Sequence, residues 1–161
     1  MEPTVKLKIF LVDDSPTYLE MYKNYLVNLG YPAVFSFASS RTFLKRLNLK
    51  PDMVFLAYPM DSLETIEILK KISEFNPHIL VVFIADQKEK SSIEKTRRQG
   101  AFDYMMKNEV TEIRLRLTTD KAKKLKKMRE RRQKQSRAVR VLSDIGITSL
   151  LFLLHKIFLK G

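Results

Sequence analysis

Leu7-Lys8-Ile9-Phe10-Leu11-Val12-Asp13-Asp14-Ser15-Pro16 is the stretch that decides how this chain folds. Its apolar run, rich in Ile, Phe and Val, has the composition of a buried strand. The run stops at two adjacent carboxylates. Ser15 and Pro16 then open a helix, with serine as its cap and proline in the first turn, where a missing N–H costs nothing. A strand, an acidic pair and a helix start within ten residues make the beginning of a βα unit.

The same unit recurs downstream. Strands are expected at Leu7–Val12, Ala33–Phe37, Met53–Ala57, Ile79–Ala85 and Phe102–Met106, each a short apolar run separated from the next by a stretch of helical period. Leu19, Tyr22, Leu26 and Leu29 share one face of the first helix, which Gly30 ends. Ser40 is expected to cap a second helix with Phe43, Leu44 and Leu47 on one side. A third carries Ile66, Leu69, Ile72 and Phe75 until Asn76-Pro77 stops it. A fourth, about Lys88–Gln99, is mostly charged and apolar only at Ile93. Alternating strands and helices of this kind build an α/β fold around a parallel sheet.

The 161 residues suit one domain with an appendage. With 45% apolar and 30% charged residues, 4 Gly and 6 Pro, the chain is neither collagen-like nor of low complexity. The absence of cysteine removes disulfides, thiol nucleophiles and thiolate metal sites, and leaves a structural zinc only His78 and His155 beside carboxylates. An intracellular compartment is favoured, and the amino terminus lacks the small-residue cleavage site of a signal peptide. The net charge of +12 is unevenly spread: residues 1–120 hold 17 Lys/Arg against 16 Asp/Glu, whereas residues 121–161 hold 13 against 2. The basicity belongs to the tail, in Lys121, Lys123, Lys124, Lys126, Lys127, Arg129, Arg131, Arg132, Lys134, Arg137 and Arg140, with Lys156 and Lys160 beyond.

From Val110 the pattern becomes one long helix, whose Val110, Ile113 and Leu117 form a stripe suited to covering the sheet. Arg129–Arg137 contains no apolar residue and reads as a solvated helical linker. Ser143-Asp144 is expected to cap a separate helix, Ile145–Leu159, in which ten of fifteen residues are Ile, Leu or Phe. Ile147, Leu150, Leu151, Leu154, Ile157 and Phe158 share its broad face, with Gly146, Thr148, Ser149, His155 and Lys156 mainly opposite. Fifteen residues rise about 22 Å, short of a hydrocarbon core of roughly 30 Å, so a simple span is disfavoured. The expected organisation is a domain at 1–120, a basic linker at 121–142 and an apolar helix at 143–161.

In an open parallel sheet, ligands bind beyond the carboxyl ends of the strands. Asp13, Asp14, Ser15 and Lys107 fall there, with Ala57 and Ile84 at rungs where further polar groups would be expected. Paired carboxylates at a strand end suit a hard cation such as Mg²⁺, and a lysine at the end of the last strand suits a phosphoryl oxygen. The simpler reading is that Lys107, set between Asp13 and Asp14, neutralises the pair without metal.

Phe10-Leu11-Val12-Asp13-Asp14-Ser15-Pro16 resembles the first strand and acidic pair of the receiver domain of bacterial two-component response regulators. Pro51–Leu56 resembles the run into that family's third strand, Ile79–Ala85 its fourth, and Gly100–Lys107 its fifth strand and lysine. The resemblance covers residues 7–117 and implies a flavodoxin-like, doubly wound sheet of five parallel strands in the order 2-1-3-4-5, with five helices. In the family the third strand ends in the aspartate that accepts a phosphoryl group, where this chain has Ala57. The family's Ser or Thr at the end of the fourth strand is Ile84. The proline after its lysine is Asn108, and the Met-Pro after its phosphoacceptor is Met60-Asp61. Two independent losses point to natural degeneracy rather than to one engineered change. Tyr104 matches the aromatic that moves with the family's threonine and is expected to hold one orientation here.

The expectation is therefore a pseudo-receiver. It would have no enzymatic activity and no cofactor, Mg²⁺ being disfavoured, and would dock cytoplasmic signalling proteins without phosphorylation. The apolar helix is expected first to pair with a second copy as a homodimer, with an anionic membrane surface as the alternative. A nucleic-acid-binding regulator using the basic tail is the competing class.

Overall fold

The computed structural model describes residues 6–57, 63–85 and 100–158, with no side-chain detail at Leu63, Leu150–Leu154 or Lys156–Phe158. Five strands, β1 (Ile9–Val12), β2 (Val34–Phe37), β3 (Met53–Ala57), β4 (Leu80–Ala85) and β5 (Asp103–Met106), form one sheet in the order β2-β1-β3-β4-β5. All neighbouring pairs are parallel, with Val12 beside both Phe37 and Leu56, and Ala57 beside Ile84. The central strands β1, β3 and β4 are buried at every position, which is why they read as unbroken apolar runs rather than alternating ones.

One face of the sheet presents Phe10, Val12, Val54, Leu56, Val81, Phe83 and Met106 to a core completed by Phe43 and Leu47 and by Ile68, Leu69 and Ile72. Phe43 comes from α2 (Ser40–Leu44), and the last three from α3 (Leu63–Phe75). Phe10, Phe37 and Phe43 form a cluster with ring centroids 4.9 to 6.2 Å apart. The other face carries Ile9, Leu11, Phe55, Val82, Ile84 and Met105. Helix α1 (Pro16–Asn28) buries Leu19, Tyr22 and Leu26, as its period predicts, and packs on β1 and β2. Gly30 ends it at φ 85°, where its N–H reaches Val27 O and that of Tyr31 reaches Leu26 O.

Several expected local details are corrected. The cap of α2 is Ser39, whose Oγ accepts the Thr42 N–H, while Ser40 is the first helical residue, buried, and donates to Glu64 Oε1 at 3.0 Å. In α3 the buried face is Thr65, Ile68, Leu69 and Ile72, and Ile66 and Phe75 are exposed. The expected fourth helix at Lys88–Gln99 lies outside the described residues, as do Met60-Asp61 and Leu159.

The last helix, α4 (Glu112–Phe158), follows a short 3-10 turn at Lys107–Glu109. Val110 is buried as expected, but Ile113 and Leu117 are 72% and 52% exposed. The inward face is instead Leu115, Thr118, Thr119 and Ala122, spaced three, four and seven residues from the first. Both threonines satisfy their hydroxyls, Thr119 on Leu115 O of its own helix at 2.8 Å and Thr118 on Asp103 Oδ2 of β5 at 3.2 Å, so burial costs them little.

The chain divides into two compact units, residues 1–123 and 124–161. In the second, Ser143-Asp144 does not start a new helix. The Ser143 hydroxyl donates back to Arg140 O and the Thr148 hydroxyl to Asp144 O, both bonds within a continuing helix. Glu130–Ser149 is exposed throughout.

Candidate functional site

The carboxyl end of β1 sets the site. Asp13 leaves the strand with its N–H on Phe37 O and with its side chain 1% exposed. Its Oδ1 accepts the N–H of Ser15 at 2.9 Å, so the aspartate braces the turn into α1. Ser15 sits at the cap position of α1 but makes no side-chain cap bond. Asp13 Oδ2 is buried, receives no hydrogen bond, and lies 3.6 Å from Lys107 Nζ. Asp14, by contrast, is exposed.

Lys107 arrives from the turn after β5. Besides its ion pair with Asp13, its Nζ lies 4.9 Å from the ring centroid of Tyr18, a cation–π contact. Tyr18 stacks on Tyr22 of the next turn at 5.8 Å. The sequence reading missed Tyr18. The signal available was its place in the first turns of α1, four residues past Asp14, next to Tyr22 at helical spacing.

Burial raises the Asp13 carboxyl above the usual carboxylate range. The Ser15 N–H and the Lys107 charge pull it down, and neighbouring Asp14 pushes it up again.

Ala57 ends β3 one rung past the Val12–Leu56 pair, and so beside the Asp13 level. It is 8% exposed and its register partner Ile84 is 2% exposed. The wall next to Asp13 is therefore a methyl and a branched alkyl group, with no side-chain oxygen from either strand. Among the described residues no three His, Cys, Asp or Glu side chains come together.

Tyr104 pairs in register with Phe83, and Ile84 with Met105, so Tyr104 and Ile84 leave opposite faces of the sheet. Tyr104 packs against the core around Phe83. The strand beneath it is tied to α4: Arg114 Nη2 donates to Tyr104 O at 3.2 Å and lies 3.5 Å from Asp103 Oδ1.

The family described as the response regulator receiver domain matches residues 9–118. This chain belongs to it. The chemotaxis protein CheY of Thermotoga maritima is 22% identical over 101 residues, 62% of this chain and 84% of that protein. Among solved structures, a response regulator receiver domain protein from Clostridium thermocellum is 27% identical, with a TM-score of 0.68 over 76% of this chain and 98% of that one. The N-terminal domain of a response regulator/sensory box/GGDEF protein from Carboxydothermus hydrogenoformans is 22% identical, with a TM-score of 0.63 over 75% and 97%. The fold expected from the strand pattern and the resemblance, a five-stranded 2-1-3-4-5 receiver sheet with a helical extension, is the fold observed.

Of the tail cations, Lys121 and Lys123 belong to the first unit, where Lys123 lies 3.8 Å from Asp120 and 4.5 Å from the Tyr31 ring centroid. Among the described residues no helix is long and apolar enough to cross a membrane.

Proposed function

We propose that this receiver domain works as a docking module for cytoplasmic signalling proteins, without phosphorylation and without catalysing a reaction. The observation that carries the reading is the Ala57–Ile84 pair at the carboxyl ends of β3 and β4. A methyl group has no lone pair with which to form an acyl phosphate, and Ile84 has no hydroxyl to bond one. The buried carboxylate of the polar site is already committed, Asp13 Oδ1 to the Ser15 N–H and Oδ2 to the Lys107 charge.

The donor set does not fit Mg²⁺. That ion takes six oxygens in near-ideal octahedral geometry, and here one carboxylate is buried against a lysine while Ala57 contributes none. Tyr104, half-buried against the core and with its strand tied to α4 through Arg114, gives the surrounding surface one arrangement to present to a partner rather than two.

The test is exposure of the full chain to acetyl phosphate with Mg²⁺, followed by intact-mass measurement. An unchanged mass is expected. A stable phosphoryl adduct on any carboxylate would overturn the proposal.

A further inference from the structure

The second unit, residues 124–161, holds eleven Lys/Arg against Glu130 and Asp144 alone, and nine of the cations, Lys124 to Arg140, precede the apolar stretch that begins at Val141 in the same helix. Val139, Val141, Leu142, Ile145 and Ile147 are 56% to 69% exposed. At 100° per residue these five point in all directions around the helix. The sequence beyond them, Leu150–Leu154 and Ile157–Leu159, continues the apolar character.

A second copy of the helix covers this surface poorly. Helix pairing buries a seam of about two positions in seven, and such a seam has no apolar residue to use through Arg129–Arg137. On the helical wheel Ile145 falls opposite Ile147, so a pair made through either side leaves the other wet. A parallel pair also sets like-numbered cations side by side, with one acid, Glu130, among nine bases from Lys124 to Arg140. A helix with a broad apolar face calls for an apolar medium along that face, and the adjoining cations call for a surface of negative charge.

We propose that the helix of the second unit binds an anionic membrane surface. Its cations lie among the lipid headgroups and the stretch from Val141 onward beds into one leaflet. Clustered cations and a short apolar helix are each weak anchors, and together they make a stable one. This role is independent of the phosphorylation state of the receiver.

The experiment is co-sedimentation of the full chain with phosphatidylcholine vesicles, with and without phosphatidylglycerol, at about 0.15 M salt. Binding to the anionic vesicles is expected to be at least about tenfold tighter than to neutral ones. Replacing Arg132, Lys134, Arg137 and Arg140 together by Gln should weaken it about a hundredfold or more, since each cation near the surface contributes about a fivefold factor. Ile147→Glu with Leu150→Glu should abolish it while leaving the thermal unfolding of the receiver domain unchanged. Equal binding to neutral and anionic vesicles overturns the proposal. So does a stable dimer by sedimentation equilibrium that ignores vesicles, which would assign the apolar face to a second copy. Retention of duplex DNA without vesicle binding at the same salt also overturns it, by assigning the cations to nucleic acid.

Discussion

Ala57 and Ile84 are register partners on adjacent parallel strands, and their side chains leave the sheet on the same face, at the end where Asp13 is buried. Together they make an apolar boundary beside a carboxylate that has one oxygen bonded to Ser15 and the other 3.6 Å from Lys107 Nζ. The chemistry of this receiver turns on that boundary.

Restoring a carboxylate there should be costly and metal-dependent. Ala57→Asp places a second buried acid beside Asp13, and we expect a loss of about 1–3 kcal/mol in divalent-free buffer, the usual cost of an unsatisfied buried polar group. Added Mg²⁺ should raise the melting temperature of the variant by mass action and leave the parent unchanged. A variant indifferent to Mg²⁺ would mean that Lys107 keeps Asp13 from acting as a ligand.

Asp13 itself should limit stability at neutral pH. Its carboxyl holds a proton to higher pH in the folded protein than in the unfolded chain, where carboxylates of its type titrate near about 3.9. Between those values the folded state binds more protons, so stability falls as pH rises through the window. Asp13→Asn keeps an Oδ1 for the Ser15 N–H and removes the charge. Denaturant midpoints should show the variant more stable than the parent at pH 7, with the difference closing as pH falls toward about 3.9. A less stable variant at pH 7 would show that the Lys107 ion pair outweighs the cost of burial.

The α2 cap distinguishes neighbouring serines. Ser39→Ala should cost about 1 kcal/mol by removing the oxygen that accepts the Thr42 N–H, and Ser39→Asp should retain most of the stability. Urea unfolding of the two variants measures this directly. Equal losses from both would place the capping oxygen elsewhere.

Some of this protein could be read from residues without coordinates. Every strand falls within two residues of its expected ends, because strands covered on both faces must be apolar at nearly every position and their limits show as changes of composition. The polar ends of those strands were legible for the same reason: Asp13, Asp14 and Lys107 interrupt apolar runs, and Ala57 and Ile84 are conspicuous where polar groups were due. Helix faces were less legible. Ile113 and Leu117 looked like the inward stripe of α4, yet Thr118 and Thr119 are buried in their place, Thr119 bonded to the preceding turn of its own helix and Thr118 to Asp103 on β5. Hydrophobic periodicity does not register a polar residue whose hydroxyl finds a partner on burial.

Ser143-Asp144 shows the same limit in another form. A serine before an apolar run is a capping signal only if the backbone breaks there, and within a continuing helix its hydroxyl bonds back to the preceding turn instead. The sequence alone determined the sheet, the acidic pair with its lysine, the two missing polar groups and the division of charge, since each is a matter of which residue types occur in which local order. Only the tertiary structure decided that Lys107 rests over Tyr18, that Asp13 is bonded through Ser15, and that Tyr104 and Ile84 leave opposite faces of the sheet. The first and last of these join residues far apart in the chain or depend on strand register, and exist only once the strands have paired; the second depends on the backbone turn at the end of β1.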